Sequence, residues 1–126
     1  MQETVVSRQV VAHKRLGAPD EIREFPNGVA DIYDIGGDEV GRLVFQPGWR
    51  WSKDLKPIAK TESCHAPHFQ YHVSGRLGIR MDDGTEFIAE PGDITSLPKG
   101  HDAWVVGDEP AVVVDFFGAS NYAKEG

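Results

Sequence analysis

The sequence predicts an all-β fold, and three observations predict it. Gly and Pro punctuation recurs along the chain ("FPNG", "IGGDEVG", "QPG", "MDDGT", "EPGD", "LPKG", "VGDEP"). Between these marks lie short stretches rich in β-branched and aromatic residues, which suit a pleated, half-buried surface. No long apolar stripe of helical period appears. Short strands at this spacing, with turn chemistry between them, point to an antiparallel sandwich or barrel.

Taken in order, the candidate strands are Val29–Ile35, Gly41–Phe45, Phe69–Val73, Leu77–Met81, Glu86–Ala89, Ile94–Leu97, Ala103–Val106 and Ala111–Phe117. The opening stretch Val5–Val11 is a candidate for one more, and "APDE" marks a helical turn near Ala18–Arg23. "RMDDGTEF" is the strongest local hairpin signal, because Asp-Gly accepts the positive φ angles of a two-residue turn. There is no tandem repeat, low-complexity segment or linker, so residues 1–126 read as one domain.

Of the 126 residues, 40% are hydrophobic and 26% charged, ordinary values for a globular protein with a core. The net charge of −7 repels phosphate backbones, and the Lys and Arg residues form no patch beyond Lys53, Lys56 and Lys60, which argues against nucleic acid as a partner. Cys64 is the single cysteine and forms no internal disulfide, in keeping with a reducing compartment. The N-terminal stretch carries charges within its apolar residues, and no segment reaches the roughly 18 apolar residues of a membrane span. The expectation is a cytoplasmic protein with no membrane partner.

Three segments, over two motifs, carry a resemblance. "EPGDITSLPKGHDAW" resembles the second motif of the cupins, G-x5-P-x-G-x2-H, with Gly92, Pro98 and Gly100 at the family's positions. "FQPGWRW" and "HFQYHVSGRLGIRMDDGTEF" resemble the strands around the first motif, Gly48 standing as its first glycine and Gly75 as its last. The resemblance runs over residues 40–117. It implies a double-stranded β-helix, or jelly-roll barrel, with a small-molecule pocket inside and pairing of two copies into a homodimer. It also implies a divalent metal held by two histidines and a glutamate from the first motif and one histidine from the second.

This sequence departs from that ligand pattern. Counting back from Gly75 puts the glutamate position at His68 and the histidine positions near Glu62 and Cys64. Counting forward from Gly48 puts the histidine positions at Asp54 and Lys56, and an insertion around "PIAKTES" accounts for the disagreement. In the second motif the histidine position is Ala103, and His101 stands two residues earlier.

A shifted site is the remaining route to a metal. His68, Gln70 and His72 share one face of a strand, but His68 and His72 are on the order of 13 Å apart along it, too far to share an ion. His65, His68 and His101, completed by Gln70 or water, make a chemically sensible set for zinc, iron, manganese or nickel. Without metal, His68 and His101 serve as acid–base groups, and Lys56, if it points inward, replaces the metal's charge with Asp54 beside it. His72 reads as a pocket residue satisfied by hydrogen bonding, and Trp51 and Trp104 read as core or dimer-interface residues and only secondarily as pocket wall. Cys64 and His65 are adjacent in sequence and face opposite sides of a strand, which disfavours a Cys–His dyad.

Two functions stay open on these residues: an enzyme acting on a small polar substrate, with or without a divalent metal, and a metal-free module that binds or senses a small ligand. A titrating or metal-bound group in the pocket separates the first from the second.

Overall fold

The computed structural model describes residues 10–62 and 67–116. Nine strands and two short helical turns follow in order: β1 (Glu21–Phe25), β2 (Gly28–Ile35), β3 (Asp38–Phe45), α1 (Trp51–Asp54), α2 (Lys56–Ala59), β4 (His68–Ser74), β5 (Arg76–Met81), β6 (Glu86–Ala89), β7 (Ile94–Leu97), β8 (His101–Val106) and β9 (Ala111–Asp115). They form a six-stranded sheet in the order β1-β2-β3-β9-β4-β7 and a three-stranded sheet in the order β6-β5-β8. Every strand pair is antiparallel.

The core lies between the two sheets and follows the period-2 alternation of the strands. In β3, Leu43 and Phe45 are buried, and in β5 Leu77 and Ile79. Leu97, Ala103 and Val113 complete the apolar interior from β7, β8 and β9. The strand positions anticipated between Val29 and Val106 all appear, with ends moved by a few residues. The "MDDGT" turn closes the β5–β6 hairpin, with Met81 N donating to Thr85 O and Gly84 at φ +95°.

Two expectations need correction. The segment Ala18–Arg23 is not helical: from Glu21 onward it is β1, paired with β2 across the turn Pro26-Asn27, with Asn27 at φ +63°. Burial of Arg23 and Phe25 on one face shows the strand period that a helical start signal concealed. Trp51 does not continue a strand from Trp49; it opens α1, and α2 runs into the insertion around "PIAKTES". The candidate strand Val5–Val11 lies largely outside the described residues, and Val10 and Val11 are not in a strand. Phe117, the last residue of the final candidate, also lies outside them.

Candidate functional site

Strand β4 departs from the apolar rule of the interior. Its inward positions are His68, Gln70 and His72, all at least 96% buried, while Phe69, Tyr71 and Val73 face outward. The antiparallel register sets Gln70 opposite Asp115, the last residue of β9, whose side chain is fully buried. A buried carboxylate is costly unless donors surround it. Asp115 has them: Oδ2 accepts from His68 Nδ1 at 2.5 Å and from Gln70 Nε2 at 3.3 Å, and Oδ1 accepts from Phe69 N at 3.4 Å.

His101 arrives from the second sheet. Gly100, at φ +91°, turns the chain into β8 so that His101 becomes its first residue, 3% exposed. Its Nδ1 donates to the carbonyl oxygen of Pro98 at 3.0 Å. The rings of His68 and His101 meet edge to face, with centroids 5.3 Å apart and planes 65° apart. In each ring Nδ1 faces an acceptor and therefore carries the proton of the neutral form, which leaves the lone pair on Nε2.

Both rings line one internal cavity, with Phe45, Trp49, Trp51, Gln70, Leu77, Leu97 and Ala103. It measures about 20 Å³, room for one water-sized group. Two buried polar atoms of its lining residues, Gln70 Oε1 and Trp49 Nε1, have no hydrogen-bond partner among the described residues. His68 and Leu97 also line an outer groove with Pro67, Phe69, Ser96, Pro98 and Phe116, so these two side chains separate cavity from groove.

The other anticipated site residues lie elsewhere. Lys56 does not point inward; it sits on α2 with its ammonium 3.0 Å from the exposed Glu62 carboxylate. A helical turn replaced the strand that would have aimed it at the pocket. Asp54, its supposed partner, is buried and instead accepts from Arg50 N and Asn27 Nδ2. His72 does not line the cavity; it bonds Thr95 Oγ1 at 2.9 Å, and burial pushes its pKa down, with the Asp93 charge acting the other way. Trp104 does not line this cavity either; it lies under the Arg50 guanidinium, 4.6 Å away, and against Gly78, where a Cβ would strike the indole. Trp51 does line the cavity, from α1. His65 and Cys64 lie outside the described residues.

Asp115 and Trp49 are the site residues that the motif positions do not mark. Asp115 follows "AVVV" in a strand of strict alternation, so its inward direction was available from the sequence. Asp102, outside the cavity, holds α1 in place by accepting from Ser52 N at 3.0 Å and Arg50 Nη1 at 3.1 Å. Among the described residues, no three His, Cys, Asp or Glu form a cluster suited to a metal ion, and no helix is long and apolar enough to cross a membrane.

Comparison with known proteins gives no match to a protein-family model and none to a curated protein sequence. Solved structures do match. The oxalate decarboxylase of Bacillus subtilis is 24% identical, with a TM-score of 0.56 over 79% of this chain and 28% of that one. KdgF from a Halomonas species is 19% identical, with a TM-score of 0.55 over 75% of this chain and 82% of its own. An uncharacterized Klebsiella pneumoniae protein with a double-stranded β-helix domain is 22% identical, with a TM-score of 0.55 over 75% of this chain and 79% of its own. The fold of this chain is the cupin-like double-stranded β-helix.

Proposed function

We propose that this cupin-like chain is an enzyme of proton transfer on a small polar substrate, with His68 as the general base and Asp115 as its positioning partner. The observation that carries the reading is the pair of occupied Nδ1 atoms. A carboxylate on His68 and a backbone carbonyl on His101 fix both tautomers, which is how a protein prepares imidazole Nε2 to accept a proton. Asp115 also stabilises the imidazolium that forms when His68 takes the proton. His101, with its ring against that of His68, is the second imidazole in reach of a reacting atom, and the His68 imidazolium returns the proton to product. The apolar walls exclude bulk water, which strengthens each polar contact inside.

The test is deuterium wash-in from D2O at carbons next to a carbonyl, over a panel of small hydroxyketones and aldehydes, followed by NMR. Wild-type protein exchanges a member of the panel, and His68→Gln slows it roughly 100-fold or more. Binding of panel members with no exchange overturns the enzymatic reading in favour of a ligand-binding module.

A second reading has its own observation, the unpartnered Gln70 Oε1. Two imidazole lone pairs and an amide oxygen fit a borderline divalent cation such as zinc, iron, manganese or nickel. His68, His101 and Gln70 would hold it, with Asp115 and Pro98 O orienting the rings as outer partners do around such ions. The cation would polarise a substrate oxygen. Elemental mass spectrometry on protein purified without a histidine tag or chelator separates the readings. Metal near one per chain that falls away in His68→Ala and His101→Ala establishes the cation site. Folded, metal-free protein leaves the imidazole base.

A further inference from the structure

We propose that the outer face of β4, β7 and β9 is the interface of a homodimer, with a second copy of this chain as its occupant. This face is the opposite side of the strand that carries His68, and its role does not depend on proton transfer.

The strand period that turns His68, Gln70 and His72 inward turns Phe69, Tyr71 and Val73 into solvent. Ile94 on β7 and Phe116 just past β9 join them, and these five side chains are 43% to 68% exposed. They are neighbours. Tyr71 pairs with Ile94 on one side and with Val114 on the other, and Phe116 N donates to Phe69 O. Residues directly opposed on one face of an antiparallel sheet stand about 5 Å apart, so the five form one patch.

The size of the patch fits a dimer. Three half-exposed aromatic side chains and two aliphatic ones leave on the order of 500 Å² of mostly apolar surface in water. A standard interface buries roughly 800 Å² on each copy, and about 65% of a homodimer interface is apolar, so the patch supplies the apolar share.

Charge selects the occupant. Among the described residues, the outward positions of β4, β7 and β9 are uncharged. Beside them, Arg42 on β3 and Asp31 on β2 are cross-strand neighbours of opposite sign. A face without net charge has nothing to hold a basic protein, and the chain's net charge of −7 opposes an anionic membrane or a nucleic acid. The same charge opposes contact between two copies through their acidic surfaces, which leaves the uncharged face as the place where they meet. Two such faces pack as the layers of a β-sandwich do, about 10 Å apart.

Sedimentation velocity on the full chain tests this, the expected species at roughly 100 µM being twice the 13.9 kDa of one chain. Tyr71→Lys and Ile94→Lys each raise the dimer Kd at least about 30-fold, because a charge must lose its water inside the patch. Ile88→Lys, at a half-exposed residue of β6 in the other sheet, changes it by less than about two-fold. Isotope-filtered NOEs in a mixture of methyl-labelled and unlabelled wild-type protein map the contact without any substitution. The Val73 and Ile94 methyls then show contacts to protons of the other copy, which decides the matter even where a variant does not fold.

A monomer at roughly 100 µM overturns the proposal, and the same methyls then tell what covers the face. Contacts to the chain's own residues 1–9 or 117–126 assign it to a terminal segment, and no contacts leave it to a different protein. A dimer that tolerates both lysines, or that Ile88→Lys disrupts as strongly, places the interface elsewhere and overturns it too.

Discussion

His68 and His72 leave the same strand on the same side, both buried, and come to different ends. His68 meets a carboxylate on one nitrogen and borders a cavity. His72 meets the Thr95 hydroxyl and is not among the residues that line that cavity. Neither side-chain direction nor burial separates them. What does is the strand across from each: in β9, Asp115 stands opposite Gln70, whereas His72 stands opposite Val113. A histidine becomes a working group where a carboxylate holds one ring nitrogen and the ring lines a cavity, and His72 has neither that carboxylate nor a place in that lining.

The largest effect expected from this contrast is on turnover. His68→Gln lowers the deuterium exchange rate roughly 10²- to 10⁴-fold, the range general base catalysis supplies. His72→Gln changes it by less than a few-fold. Equal losses in the two variants erase the distinction between the histidines.

Stability comes next. Asp115→Ala strips the acceptor from three donors, His68 Nδ1, Gln70 Nε2 and Phe69 N, and costs about 2–4 kcal/mol in urea unfolding. Thr95→Val removes one hydrogen bond from His72 and costs about 1 kcal/mol. A cost for Thr95→Val as large as that for Asp115→Ala contradicts the ranking.

The sequence makes the fold legible and part of the site. Turn residues and period 2 locate the strands, because Gly and Asn at positive φ mark where the chain reverses. The same alternation places His68 and Gln70 on the inner face of β4. It does not place their partners. Asp115 is more than forty residues away, and only the antiparallel register of β4 with β9 brings it to His68. Lys56 fails for a related reason: the motif count assumed a strand, and residues 51–59 form helical turns. Strand period puts His72 on the same face as His68, and in the sequence only the motif position of His68 separates the two.

A smaller effect separates the histidines by pH. The pKa of His72 is lowered by burial, so the unfolded chain takes up its proton near the ordinary value of about 6.5 while the folded ring resists. The unfolded state then holds more protons, and stability is full above about pH 6.5 and falls as the pH drops below it. His72→Gln flattens this decline in unfolding curves between about pH 7 and 5. A decline of unchanged slope assigns the acid sensitivity to another group.

The smallest effect is expected at Lys56, whose ion pair with Glu62 is exposed. Lys56→Ala changes stability by less than about 0.5 kcal/mol and leaves exchange activity as it was. A large loss of activity returns this lysine to the site.

The central claim is that the neutral rings of His68 and His101 both keep the proton on Nδ1 and the lone pair on Nε2. Long-range 1H–15N NMR of the imidazole rings at neutral pH reads this directly, since protonated and bare ring nitrogens resonate far apart. The account predicts the Nδ1–H tautomer for both, and loss of that form at His68 in Asp115→Asn. An Nε2–H tautomer at either ring, or a His68 ring unaffected by Asp115→Asn, contradicts it.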